Sequence, residues 1–130
     1  MKPELMYLVW VTTLTACIWI PYILDRIIVW GILDTFGYPE NPKPQTQWAV
    51  RMKKAHANAV ENLVVFAALV LVAQDLDVSN SATVAACAVY FWARVVHLAA
   101  VTARVPWIRT IAFLAGFGAQ ITLAWQILAS

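Results

Sequence analysis

Charge is scarce in this chain: Asp, Glu, Lys and Arg make up 12% of 130 residues and sum formally to +2. So small an excess, with no basic cluster alternating with stacking aromatics, argues against a nucleic-acid partner. Histidine is reduced to His56 and His97, and cysteine to Cys17 and Cys87. No CxxC or Cys/His spacing occurs among them, so neither zinc nor a redox dithiol is indicated. Both cysteines fall inside apolar runs, where a thiol reads as a buried spectator. Only Lys2 precedes the first apolar run and no small-residue cleavage site follows it, which reads as a retained span and not a signal peptide.

Hydrocarbon is what the chain has in abundance. Hydrophobic residues are 62% of the total and the mean hydropathy is +0.71. A soluble domain of this size has too little interior to hide that much apolar surface. The bilayer is therefore expected to be part of the solvent.

Leu5 to Leu24 is a run of twenty residues broken only by Thr12, Thr13, Thr15 and Pro21. About twenty apolar residues cross the hydrocarbon core. Residues 48–73, 82–103 and 107–128 form three further candidate spans. "SNS" at 79–81 and "RVP" at 104–106 are short connections, which make neighbouring helices antiparallel. The expectation is one all-α integral membrane domain, a four-helix up-and-down bundle. The long connection, "DTFGYPENPKPQTQ", cannot be a continuous helix because of Pro39, Pro42 and Pro44. Thr46 is placed to cap the second span. "DRIIVWGIL" before that loop either prolongs helix one or lies along the interface. The seven tryptophans suit interfacial belts and lipid-facing surfaces.

Cations gather on one side: Arg26, Lys43, Arg51, Lys53, Lys54, Arg104 and Arg109. The other side has Lys2 and an acidic loop with Asp75 and Asp77. Positive charge favours the cytoplasm, so the 34–46 loop is expected inside and both termini outside.

An α-helix turns about 100° per residue, so spacing assigns faces. Arg51, Lys54, Asn58, Glu61 and Asn62 fall within an arc of roughly 100°, whereas His56 and Lys53 point elsewhere. On the third span Cys87, Tyr90, Arg94, His97, Val101 and Arg104 share a second stripe. Ionisable groups in a membrane segment are costly and usually functional. A purely structural account pairs Glu61 with Arg94 and uses the asparagines to tie helices together. Arg51, Lys54, Arg94, Arg104 and Arg109 outnumber Glu61, however. That imbalance points to an anionic ligand whose carboxylates meet the arginines while Glu61 takes its amine.

These residues also carry a resemblance. "RMKKAHANAVEN" at 51–62, "RVVH" at 94–97 and "PWIRT" at 106–110 resemble motifs of the MAPEG family, membrane-associated proteins in eicosanoid and glutathione metabolism. The likeness extends over nearly the whole chain and is nearest to the bacterial branch. It implies a homotrimer in a bacterial inner membrane, with glutathione held as cosubstrate in clefts between subunits. By position it implies that Arg51, Lys54, Asn58, Glu61, Arg94 and His97 contact the tripeptide, with Arg26 helping from the neighbouring subunit. Arg109, or alternatively Arg104, corresponds to the arginine that stabilises the thiolate; no metal is implied. His56 is left a packing or capping role. The chain departs from eicosanoid-type members at Val101 and Phe113, where a tyrosine or other aromatic hydroxyl is expected, and at Ala57 in place of an arginine.

Three functions compete. One is a glutathione transferase or peroxidase acting on lipophilic small molecules dissolved in the bilayer. Another is a non-catalytic scaffold that binds lipid or glutathione in the same cleft. The third, a small four-span exporter, needs a carboxylate deep in the first span, and none precedes Asp25 there apart from Glu4 at its start.

Overall fold

The computed structural model describes all 130 residues and contains helices and connections only. The helices are α1 (Pro3–Cys17), α2 (Trp19–Trp30), α3 (Ile32–Phe36), α4 (Gln47–Asp75), α5 (Ser81–Ala103) and α6 (Pro106–Leu128). Together α1 and α2 form one apolar span, Pro3–Trp30, and with α4, α5 and α6 they make four helices long and apolar enough to cross a membrane. The bundle packs α5 against α6 most extensively, with α1 against α4 and α5, and α2 against α4.

The first span is longer than its apolar run and is broken at Ile18. Pro21 explains the break. It has no N–H for the Cys17 carbonyl, and its ring crowds that carbonyl. The chain then stays helical through Asp25 and Arg26 as far as Trp30. Gly31, at φ 85°, turns it into the short α3. So "DRIIVWGIL" both prolongs the first helix and supplies a separate final turn.

The termini of the other helices follow from their residues. Asn80 caps α5 by accepting from the Ala82 and Thr83 backbones, while Thr83 Oγ1 accepts from the Asn80 N–H at 2.9 Å. Pro106 begins α6, where a missing N–H costs nothing. Thr46 does occupy the N-cap position of α4, but its hydroxyl makes no cap bond. Instead its N–H and Oγ1 both donate to the buried Asp25 carboxylate, so the aspartate tethers the long loop to the first span.

Small side chains let α5 and α6 approach closely. Ala86, Ala93 and Ala100 line one helix, Ala112, Gly116 and Ala119 the other, and all are buried. Close backbone packing of this kind replaces the hydrophobic driving force that lipid removes. All four spans reach the central cluster of Val11, Phe66, Val70, Cys87, Tyr90 and Leu123. Phe66 and Tyr90 stack there at 3.8 Å with ring planes 6° apart. Only 25 of 130 residues are buried, whereas Phe117, Ile121, Trp125 and Leu128 stand half or more exposed along α6. Such a surface needs hydrocarbon around it. Cys87 is buried as expected; Cys17 is not, and lies exposed on the outside of the first span.

Candidate functional site: a cationic cleft without a carboxylate

Antiparallel order brings the end of α2, the start of α4, the end of α5 and the start of α6 to one end of the bundle. Seven of the nine Lys and Arg residues collect there: Arg26, Lys43, Arg51, Lys53, Lys54, Arg104 and Arg109. Four of them, Arg51, Lys54, Arg104 and Arg109, line a single cleft of about 360 Å³ with Ala100, Val101, Val105 and Pro106. No acidic residue lines it. Arg51 is held in place by donating Nε–H to the Thr102 carbonyl at 3.0 Å. Arg104 ends α5 in the left-handed conformation at φ 61°, which turns the chain sharply into α6 and sets Arg109 beside it.

The two polar stripes meet between α4 and α5, and Asn58, Glu61, Arg94 and His97 are not among the residues that line the cleft. Arg94 is buried and donates from Nη2 to Asn58 Oδ1 at 2.8 Å and to His97 Nδ1 at 3.4 Å. Asn62 Nδ2 in turn donates to the Asn58 carbonyl at 2.9 Å, and Gln120 Nε2 donates to the Asn62 carbonyl at 3.2 Å. This network ties α4 to α5 and α6. It contains no carboxylate.

Glu61 therefore does not neutralise Arg94. It is exposed on α4 and makes no ion pair; the chain's one salt bridge, Lys2–Asp77 at 3.6 Å, lies at the opposite end. Helical geometry gives the reason. Asn58 and Asn62 sit on the inner edge of the α4 stripe, while Lys54 and Glu61 lie roughly 60° further round on its outer edge. The single arc thus divides between the bundle interior and the surface.

Arg26 stands apart from the cleft within one chain. Its guanidinium lies over Trp30 at 4.8 Å and donates to Gln45 Oε1 at 3.5 Å. His56 points away from the stripe and is hydrogen-bonded through Nδ1 to the Tyr22 hydroxyl at 2.8 Å, a contact between α4 and α2. Val101 is on the cleft wall, and Phe113 approaches His97 with ring centroids 6.4 Å apart. Neither offers a hydroxyl. Tyr90 does, but its OH is buried in the core without a partner. Asp25 and Gln45 were not apparent from sequence as site-shaping residues, although a carboxylate at the end of an apolar run was the signal available.

The family model of the MAPEG family matches residues 8–129, almost the entire chain. The chain belongs to the MAPEG family. No curated protein and no solved structure is a significant match to it. MAPEG proteins include glutathione transferases and related proteins, and the four apolar helices make this member a multi-pass membrane protein. The motif that fills the cationic end, 51–62 on α4, lies inside the matched MAPEG region.

Proposed function

We propose that the protein is a membrane-embedded glutathione-binding protein that acts as a transferase or peroxidase on lipophilic electrophiles. The observation that carries this reading is the cleft of four cations with no carboxylate. Glutathione brings two carboxylates, one amine and one thiol. Its carboxylates answer Arg51, Lys54 and Arg104, because charge-assisted pairs to guanidinium are short and directional. Its amine answers Glu61 on the outer edge of α4. Asn58, Arg94 and His97 lie outside the cleft's lining, joined through the Arg94 guanidinium, and in this reading they add polar contacts from the α4–α5 interface.

Arg109 is the group proposed to stabilise the thiolate, with Arg104 as the alternative. A cation beside a thiol lowers its pKa and raises the nucleophilic fraction near neutral pH. The sulfur lone pair then attacks an electrophilic carbon of a bilayer-dissolved substrate, and the leaving group departs with the bonding pair. With a lipid hydroperoxide the sulfur attacks the distal oxygen and releases the alcohol. A second glutathione then displaces water from the resulting sulfenic acid and gives the disulfide.

The working unit in this reading is a homotrimer. The outer face of α4 carries Glu61 among exposed Val60, Val64, Val65 and Leu71, a row left without a partner inside one chain. A neighbouring subunit on that row brings Arg26 to the cleft. The cation-rich end faces the cytoplasm of a bacterial inner membrane. A second reading, binding without turnover, is favoured by Val101, which leaves that wall of the cleft without a hydroxyl.

Calorimetric titration of the purified protein with glutathione, beside turnover of an activated aryl chloride and of a lipid hydroperoxide, tests both. Saturable binding with turnover supports the enzyme, and binding without turnover supports the scaffold. Absence of binding removes the proposal. Native mass spectrometry that finds only monomer removes the trimer.

A further inference from the structure

Two cross-helix hydrogen bonds fix the depth at which the first span ends. Tyr22 OH meets His56 Nδ1 at 2.8 Å, and Arg51 Nε donates to the Thr102 carbonyl at 3.0 Å. Going toward the cationic end, His56 to Arg51 is about 7.5 Å of helix and Tyr22 to Ile28 about 9 Å. Ile28 therefore stands level with Arg51, at the depth where the cations gather. Less than one turn beyond it, Gly31 at φ 85° redirects the chain into α3.

One side of α2 is already occupied. Tyr22 bonds to α4, Asp25 to Thr46, Arg26 to Gln45, and Trp30 Nε1 to the Lys43 carbonyl at 2.6 Å. These four residues fall within an arc of roughly 140°. Leu24 and Ile28 lie on the opposite side, half-exposed and 83% exposed. Leu24 belongs to the apolar run, so its side of the helix faces lipid, and Ile28 continues that side by one turn. The short α3 divides in the same way. Ile32, Leu33 and Phe36 share an arc of roughly 100°, with Asp34 and Thr35 on the other side. All three are exposed, Leu33 to 89% and Phe36 to 77%. Among the helices only α2 packs extensively on α3.

We infer that α3, together with Ile28, is an interfacial anchor whose partner is the phospholipid leaflet on the cationic side. It lies in the headgroup layer with Ile32, Leu33 and Phe36 among the upper acyl carbons. Continuity of Ile28 with the lipid-facing side of α2 selects lipid over a second copy of the chain. Trp30 and Tyr38 flank the element, and tryptophan and tyrosine concentrate in this layer. Charge sets the mode of attachment. From Arg26 to Lys43 those two cations are matched by two acids, Asp34 and Glu40, so no net charge draws the segment to anionic lipid. Burial of the apolar face holds it instead. With α3 anchored at one end and Thr46 tied to Asp25 at the other, the long loop is pinned close to the membrane surface. Neither glutathione nor trimer formation enters this placement.

Electron paramagnetic resonance of the intact protein in phosphatidylcholine vesicles tests this. With exposed Cys17 replaced by serine and Cys87 left buried, a nitroxide is attached at Leu33→Cys and, for reference, at Asn41→Cys in the loop. Collisions with oxygen, which concentrates in hydrocarbon, are compared with collisions with a water-soluble nickel chelate. Oxygen should dominate at position 33 and the chelate at position 41, and mixing phosphatidylglycerol into the vesicles should leave both ratios unchanged. Adding Phe36→Asp, at a side chain outside the packed core, should move the position 33 ratio toward the chelate. Dominance of the chelate at position 33 without that change overturns the inference, since α3 then stands in water. Few collisions with either reagent also overturn it, because protein, such as a second copy, then covers the face. Oxygen dominance that appears only with phosphatidylglycerol replaces the apolar anchor with an electrostatic one. An unchanged ratio in Phe36→Asp overturns it as well, because depth would then not depend on the apolar face of α3.

Discussion

Arg94 Nη2 donates to Asn58 Oδ1 at 2.8 Å, so the buried guanidinium of α5 is joined to α4 by an amide and not by an acid. Its positive charge is solvated by Asn58 and His97 but cancelled by neither. A buried cation held this way keeps the cationic end of the bundle electropositive. Pairing with a carboxylate would have removed that field.

Asn58→Leu deprives the guanidinium of its nearest acceptor. Hydrogen bonds between membrane helices average about 0.6 kcal/mol. A buried charged donor left unsatisfied costs more, about 1–3 kcal/mol. The variant should therefore melt several degrees below wild type in detergent, while Lys54→Gln, at an exposed side chain, should stay within about 0.5 kcal/mol of it. Equal melting of Asn58→Leu and wild type would show that this bond does not hold the helices together.

Much of the fold was legible in the sequence because it depends on length and spacing. Runs of apolar residues gave the four spans, and Pro106 and the 79–81 segment gave the turns. Facing stripes put Asn58 and Arg94 at one depth, which their hydrogen bond bears out. What spacing does not contain is which edge of a stripe meets a neighbour. That is why spacing leaves a Glu61–Arg94 pair as open as a Glu61 free to meet a ligand, and only the structure puts Glu61 on the exposed edge. Nor does it reveal long-range tethers, such as Thr46 on Asp25, because these depend on how a proline-rich loop folds back.

The α5–α6 seam offers a test of packing. A Cβ built on Gly116 would meet Tyr90 Cδ1 at 3.8 Å and Ala93 Cβ at 3.9 Å, ordinary contact distances. Gly116→Ala should therefore be accepted and, by removing a flexible helix residue, add about 0.5–1 kcal/mol of stability. Gly116→Leu should lower stability, since its further atoms enter the stacked Phe66–Tyr90 pair. Thermal melting of both variants checks the sign. A loss in the alanine variant would mean that the helices approach more tightly than the seam allows.

Tyr90 carries a hydroxyl on the same stripe as Arg94, yet that oxygen is buried with no hydrogen-bond partner. Removing a buried unsatisfied polar group while keeping the ring is neutral or stabilising. Tyr90→Phe should melt no lower than wild type and should leave glutathione binding and turnover unchanged. A selective fall in turnover would give this hydroxyl a chemical role that its position argues against.

The expected membrane orientation rests on the gathering of seven cations at one end of the bundle. Asn41 is exposed in the long loop between α3 and α4. With exposed Cys17 replaced by serine, Asn41→Cys should resist a membrane-impermeant maleimide in intact cells and react after permeabilisation. Labelling in intact cells would reverse the orientation and place the cationic cleft outside.

Glu61 and Arg109 separate binding from chemistry. Glu61 is exposed and makes no salt bridge in the chain, so Glu61→Gln should leave the ligand-free protein's melting within about 0.5 kcal/mol of wild type. If Glu61 receives the amine of glutathione, the same change removes one charge-assisted hydrogen bond. The loss is about 1.5–3 kcal/mol, or roughly ten- to a hundredfold in affinity. Arg109→Leu should spare most binding, because Arg51, Lys54 and Arg104 remain in the cleft. It should instead raise the bound thiol's pKa, since removing a nearby cation disfavours the thiolate. The rise of rate with pH then moves to higher pH, and ultraviolet thiolate absorbance titrated with glutathione should move with it. A structural role for these residues predicts the opposite pattern, a lower melting temperature in both variants with no selective change toward thiols. Destabilisation of the empty protein by Glu61→Gln, together with no thiol binding in wild type, would make the α4 stripe architectural and remove the enzymatic reading.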